Sequence, residues 1–161
     1  MVSTSLKRYR DIKKVWGDFD REYYILLNCV DRLINLLKDK YGTLSKASIA
    51  MGYKSKVELQ HRLKYKCIVP NFKGLKRICK ALNISFDYAI FGEGLKEYKH
   101  SDTLSFNNFI ETYNNYYWLN KHPLITQSIY DLSINKRQYL PLKYIIKVAR
   151  DTNKSIDELV E

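Results

Sequence analysis

The sequence is poor in the arrangements on which enzymes and metalloproteins depend. It has no nucleophile elbow, no glycine-rich loop to cradle phosphate and no pair of carboxylates in a plausible site. Catalysis is left without converging groups, and a non-enzymatic protein is the expectation. Cysteines are few. Cys29, Cys67 and Cys79 are odd in number, far apart and set in apolar or basic helical patterns, so they read as reduced core thiols. No two of them have zinc-finger spacing, and His61, His100 and His122 do not complete such a site. No metal or other cofactor is expected. Long apolar runs are missing too: the basic N-terminus lacks the core of a signal peptide, and no stretch reaches membrane-span length.

Acidic residues are scarce in one region. Between Lys40 and Lys80 stand eleven Lys or Arg and a single acid, Glu58, a surface suited to a polyanion. Residues 1–100 carry 21 basic and 10 acidic side chains and residues 101–161 carry 7 and 7, so the whole net charge of +11 belongs to the first part. Solubility requires no such asymmetry, whereas a phosphate-backbone partner for one domain does. An aromatic content of 14%, mostly tyrosine, argues against disorder. At 161 residues the chain has room for one or two small domains, each with a modest core.

The periodicity is helical throughout and predicts an all-α protein. Leu6, Tyr9, Ile12 and Val15 with Trp16 give residues 1–20 a basic amphipathic helix. Packing on the domain, a DNA-contacting arm and a membrane-surface anchor are all open to it. After a break at Gly17–Asp20, the stripe Tyr23, Leu26, Leu27, Val30, Leu33, Ile34 and Leu37 marks a long helix ending near Tyr41-Gly42. Further helices are expected from Thr43, Ser55, Asn71 and Ser85. Ser55-Lys56-Val57-Glu58 reads as a capping box. With Leu59 and Leu63 on the buried side of that helix, Val57, Gln60, His61 and Lys64 turn outward.

The run Pro70 to Gly92, PNFKGLKRICKALNISFDYAIFG, resembles the closing half of the Cro and repressor type of helix-turn-helix, the xenobiotic-response-element family. Pro70 follows Leu63 by seven residues, as in that family's turn after the recognition helix. Leu75, Ile78, Cys79, Ala81 and Leu82 take its fourth-helix core positions, and Ser85 to Tyr88 its capped fifth helix. Thr43 to Met51 with Gly52-Tyr53 is similar to its second helix and turn, where glycine supplies a left-handed end. The chain departs from the family in a longer Gly52-to-Leu63 spacing and in Lys64-Tyr65-Lys66 replacing the usual acidic residue and glycine. The resemblance covers residues 21–92 and implies a five-helix DNA-binding domain over 21–94.

Leu95 to Ser105 reads as a linker, and residues 106–161 contain a partial repeat. A shift of 70 lays Leu75, Ile78, Cys79, Ser85, Phe86, Asp87, Ala89 and Ile90 on Ile145, Val148, Ala149, Ser155, Ile156, Asp157, Leu159 and Val160. Phe106, Phe109, Ile110, Tyr113 and Tyr117 make a first-helix stripe, and Ile125 to Leu132 stands where a recognition helix would. Pro123 leaves no room for a full second helix. This second domain therefore reads as a smaller, degenerate copy with no net charge, suited to dimerisation or partner binding. Tyr116 and Trp118 are left over from its core and mark an interface. The first domain, which has all five expected helices, is expected to fold without it.

The resemblance implies a repressor-like, sequence-specific transcription regulator of phage or mobile-element origin, in the cytoplasm of a bacterial host cell. Such proteins bind double-stranded DNA as homodimers, usually on an inverted repeat. Gln60 would pair with adenine, His61 or Lys64 with guanine, and Val57 would touch a thymine methyl. Lys46, Lys54, Ser55, Lys56, Arg62, Lys66 and Lys73 would hold phosphates. A different class also fits: an inhibitor of a host defence nuclease, anti-CRISPR-like, binding that protein through its neutral aromatic domain and using the first domain for autoregulation. An antitoxin role is a weaker variant of the same idea.

Overall fold

A computed structural model of the protein describes residues 20–65, 72–101, 104–118 and 142–161. Among these residues the regular elements are helices, with no strand, as the all-α expectation requires. The expected basic helix in residues 1–19, and residues 119–141 with the counterpart of a recognition helix, lie outside them.

Helix α1, Asp20–Tyr41, is 22 residues long. Tyr23, Leu26, Val30, Leu33 and Leu37, three or four residues apart, are all buried along it, so one stripe faces the core. Thr43 caps α2, Leu44–Ala50, by accepting from the Lys46 amide at 3.1 Å. α2 ends at Gly52, whose φ of +84° is a conformation that side-chain-bearing residues adopt only at a cost. The Tyr53 amide then reaches back to the Ser48 carbonyl at 3.0 Å and closes the terminus. α3 comprises Glu58–Gln60 and a π-helical turn, His61–Tyr65. α4 is Phe72–Leu82 and α5 is Phe86–Phe91. α6 is Asn107–Tyr113, continued by a π-helical turn, Asn114–Trp118. α7, Leu142–Thr152, and α8, Ile156–Val160, follow.

The shift of 70 seen in the sequence is present in the backbone. α4 and α7 are both 11 residues long and start 70 residues apart. Asn83 and Asn153 both end their helices in the left-handed region, at φ 54° and 52°, which asparagine tolerates better than most residues. Each is followed by the same bond, Ile84 amide to Cys79 carbonyl at 3.1 Å and Lys154 amide to Ala149 carbonyl at 3.0 Å. Ser85 and Ser155 then cap α5 and α8, accepting from the Tyr88 and Glu158 amides at 3.1 and 3.4 Å.

One apolar core runs through both parts. Phe72 meets Phe86 at 4.7 Å and Phe106 at 5.0 Å between ring centroids. Arg150 reaches across to the buried Glu22 of α1 at 3.1 Å. Of the stretch read as a linker, Lys96, Tyr98 and His100 contact the first part. Lys96 accepts from the Ser85 amide at 2.9 Å, and Tyr98 and His100 pack on Phe86 with centroids 5.6 and 4.9 Å away. Cys29 and Cys79 are free thiols in this core, and burial pushes that of Cys29 up to about 12; Cys67 lies outside the described residues.

The N-termini of α5 and α8 face each other. Asp157 accepts from the Phe86 and Asp87 amides at 3.0 and 2.9 Å, and Asp87 accepts from the Ile156 and Asp157 amides at 2.8 and 3.5 Å. Ser155 donates to Asp87, and His100 Nε2 lies 2.7 Å from Asp157. Burial and the neighbouring Asp157 carboxyl push Asp87 up from the ordinary carboxylate value. Burial acts the same way on Asp157, but hydrogen bonds from Asp87, His100 and the two amides outweigh it and hold that carboxyl low.

Candidate nucleic-acid interface

The geometry between α2 and α3 is fixed by a serine inside the core. Ser48 is fully buried; its hydroxyl donates to the Ser55 carbonyl at 2.7 Å and accepts from the Leu59 amide at 3.4 Å. This corrects the reading of Ser55–Glu58 as a capping box. Ser55 lies in the connection, and α3 begins at Glu58 with Val57 in the cap position and no side-chain cap. Ser48 sits between the Ser55 carbonyl and the Leu59 amide, the two groups that would bond each other in the first turn of a helix opening at Ser55. The Glu58 carboxylate instead accepts from the Lys54 amide at 3.3 Å and from Arg62 at 3.1 Å. The Arg62 guanidinium, hydrogen-bonded to it, holds Glu58 below the ordinary carboxylate value.

Leu59 and Leu63 are buried, as their spacing requires. Val57 and His61 are exposed and Gln60 is half-buried. Ser55, Val57, Glu58, His61 and Arg62 line one shallow, open depression. The α3 backbone includes Lys64, but its side chain lies outside the described ones, and Lys66 lies outside altogether. Lys54, Lys56, Lys46 on α2 and Lys73 on α4 are all exposed. The structure thus gathers Ser55, Val57, His61 and Arg62 at one spot.

Two residues of this region were not singled out as site residues in the sequence. Tyr53 is buried at the end of the α2 turn, and Arg77 of α4 lies over its ring, 3.8 Å from the centroid, while donating to the Met51 carbonyl at 2.7 Å. Arg62 approaches the same ring at 5.4 Å. The tyrosine ring therefore lies against two guanidinium groups beside α3. The signal was Arg77 itself, one of the eleven basic residues, but only the fold brings it against Tyr53. In the second part, Tyr116 is 42% exposed; the Trp118 side chain lies outside the described ones.

No described helix is long and apolar enough to cross a membrane. Comparison with protein-family models, with curated proteins and with solved structures gives no match to this chain.

Proposed function

We propose that the protein is a sequence-specific DNA-binding transcription regulator of the Cro/repressor-like helix-turn-helix type, encoded by a phage or mobile element. α2 and α3 form the helix-turn-helix unit, and α3 enters the major groove. The observation that carries this reading is the exposed Val57 and His61 with half-buried Gln60 on a helix seated by Leu59, Leu63 and Ser48, inside the 40–80 stretch with its eleven basic residues and one acid. Gln60 suits adenine N6 and N7, His61 or Lys64 guanine O6 and N7, and Val57 a thymine methyl. Lys46, Lys54, Ser55, Lys56, Lys66 and Lys73 hold phosphates. Arg62 shares that task with its bond to Glu58, and Arg77 joins it. The longer Gly52-to-Leu63 spacing is taken up in the 53–57 connection and the π-helical turn of α3, a distortion frequent at functional sites.

The test is selection of bound duplexes from random DNA, followed by affinity measured over a range of salt. A common motif and a salt slope steeper than about −2 are expected. A shallower slope, or no motif, overturns the regulator reading. Exposed Tyr116 on the uncharged part favours a second reading, a defence-nuclease inhibitor that binds protein through this part. Its binding to such a partner would depend little on salt.

A further inference from the structure

Identical subunits related by a two-fold axis meet isologously: what residue i does to j, j does to i. α5 and α8 meet in this way within a single chain. Asp157 takes the first two amides of α5, and Asp87 takes the first two of α8. The two aspartates are 70 residues apart, the offset that also relates α4 to α7 and Ser85 to Ser155. With each serine capping its own helix, the first three amides of each helix are satisfied. A contact of this kind closes after two members and offers nothing to a third. The same seam continues through Phe72 on Phe106 and Arg150 on Glu22, so the second member is held by core as well as by carboxylates.

From this, and resting on the DNA-binding reading above, we infer that the second part of the chain occupies the place of a second subunit, so that the protein acts as a monomer on one non-palindromic duplex site. Charge supports the same conclusion. The member standing in the partner's position has 7 basic and 7 acidic residues over 101–161, so a second half-site would lie over a surface with no net attraction for phosphate. The homodimer on an inverted repeat expected from the sequence is thereby replaced by an internal pair with a single reading face.

Sedimentation equilibrium of the full chain at micromolar concentration, alone and with selected duplex, tests both parts. The expected results are a mass of 19.1 kDa, one chain per duplex and a selected motif without an inverted repeat. The salt slope should lie near −6, for about seven phosphates neutralised by one chain. Twice that mass in solution, or two chains on an inverted repeat, overturns the inference. A monomer that selects no duplex overturns the single-site part together with the regulator reading, while the mass still supports the internal pair.

Discussion

α4–α5 and α7–α8 are one backbone used twice, and they differ in what becomes of their charges. Their apolar positions match: Phe72 with Leu142, Leu75 with Ile145, Ile78 with Val148 and Phe86 with Ile156 are all buried. Arg77 corresponds to Lys147 and Lys80 to Arg150. On α7 both cations meet carboxylates, Lys147 with Asp151 at 3.6 Å and Arg150 with Glu22 at 3.1 Å. Arg77 instead goes to a carbonyl and a tyrosine ring, neither of which cancels its charge. The helix ends and core define the architecture in both places; the different partners of Arg77 and Lys147 distinguish the first copy from the second.

The comparison breaks most severely if one copy is removed. Cutting the chain after Ser101 deprives the core of Phe106, Phe109, Leu142, Ile145, Ile146 and Val148, all buried. At about 1.5–3 kcal/mol for each large side chain, the six amount to about 9–18 kcal/mol, comparable with the whole of the roughly 5–15 kcal/mol by which domains are stable. Calorimetry of residues 1–101 should show no cooperative transition; a sharp one would mean that the first part folds alone, as the sequence suggested.

A smaller effect separates the paired aspartates. Asp157, held low, contributes stability present above the unfolded value of about 3.9 and lost as pH falls through its lowered pKa. Asp87, pushed up, contributes in the opposite sense, fully below the unfolded value and lost as pH rises through its raised pKa. Asp157→Asn should therefore cost about 1.5–3 kcal/mol at pH 7, and Asp87→Asn, which resembles the protonated acid, about 1 kcal/mol or less. Denaturant titrations at pH 4 and pH 7 measure both, and equal costs at pH 7 would remove the asymmetry.

On the reading face, Gln60→Ala and His61→Ala should each relax discrimination by about 1–3 kcal/mol at one base pair, as read by repeating the duplex selection. Lys54→Ala should weaken all sequences alike and reduce the salt slope by about 1. The smallest change is expected from Arg77→Ala, about 1 kcal/mol of stability from its bond to Met51, with a comparable loss of slope. The matching Lys147→Ala should leave the slope unchanged, and any effect of it on the slope would blur the contrast between the copies.

Much of the helical plan was legible because its signals are local. Thr43, Ser85 and Ser155 each bond an amide three residues on, and Gly52 and Asn83 end helices within their own turns. Ser55 misled because Ser48, on a different helix, reached its carbonyl and the Leu59 amide first. The outward side of α3 was legible in outline, with Val57 and His61 exposed, but Gln60 is only half-exposed. The aspartate exchange could not be read at all. Asp87 and Asp157 each look like ordinary first-turn acids of their own helices, and only tertiary structure sends each to the other's.

That exchange imposes an order on synthesis. While the chain is still emerging from the ribosome, α5 has its serine cap but not the carboxylate for its first two amides, which arrives 70 residues later with Asp157. Phe72 is likewise without Phe106. Apolar surface left open for that interval favours association between neighbouring nascent chains, and it is closed only once α6 to α8 have been made.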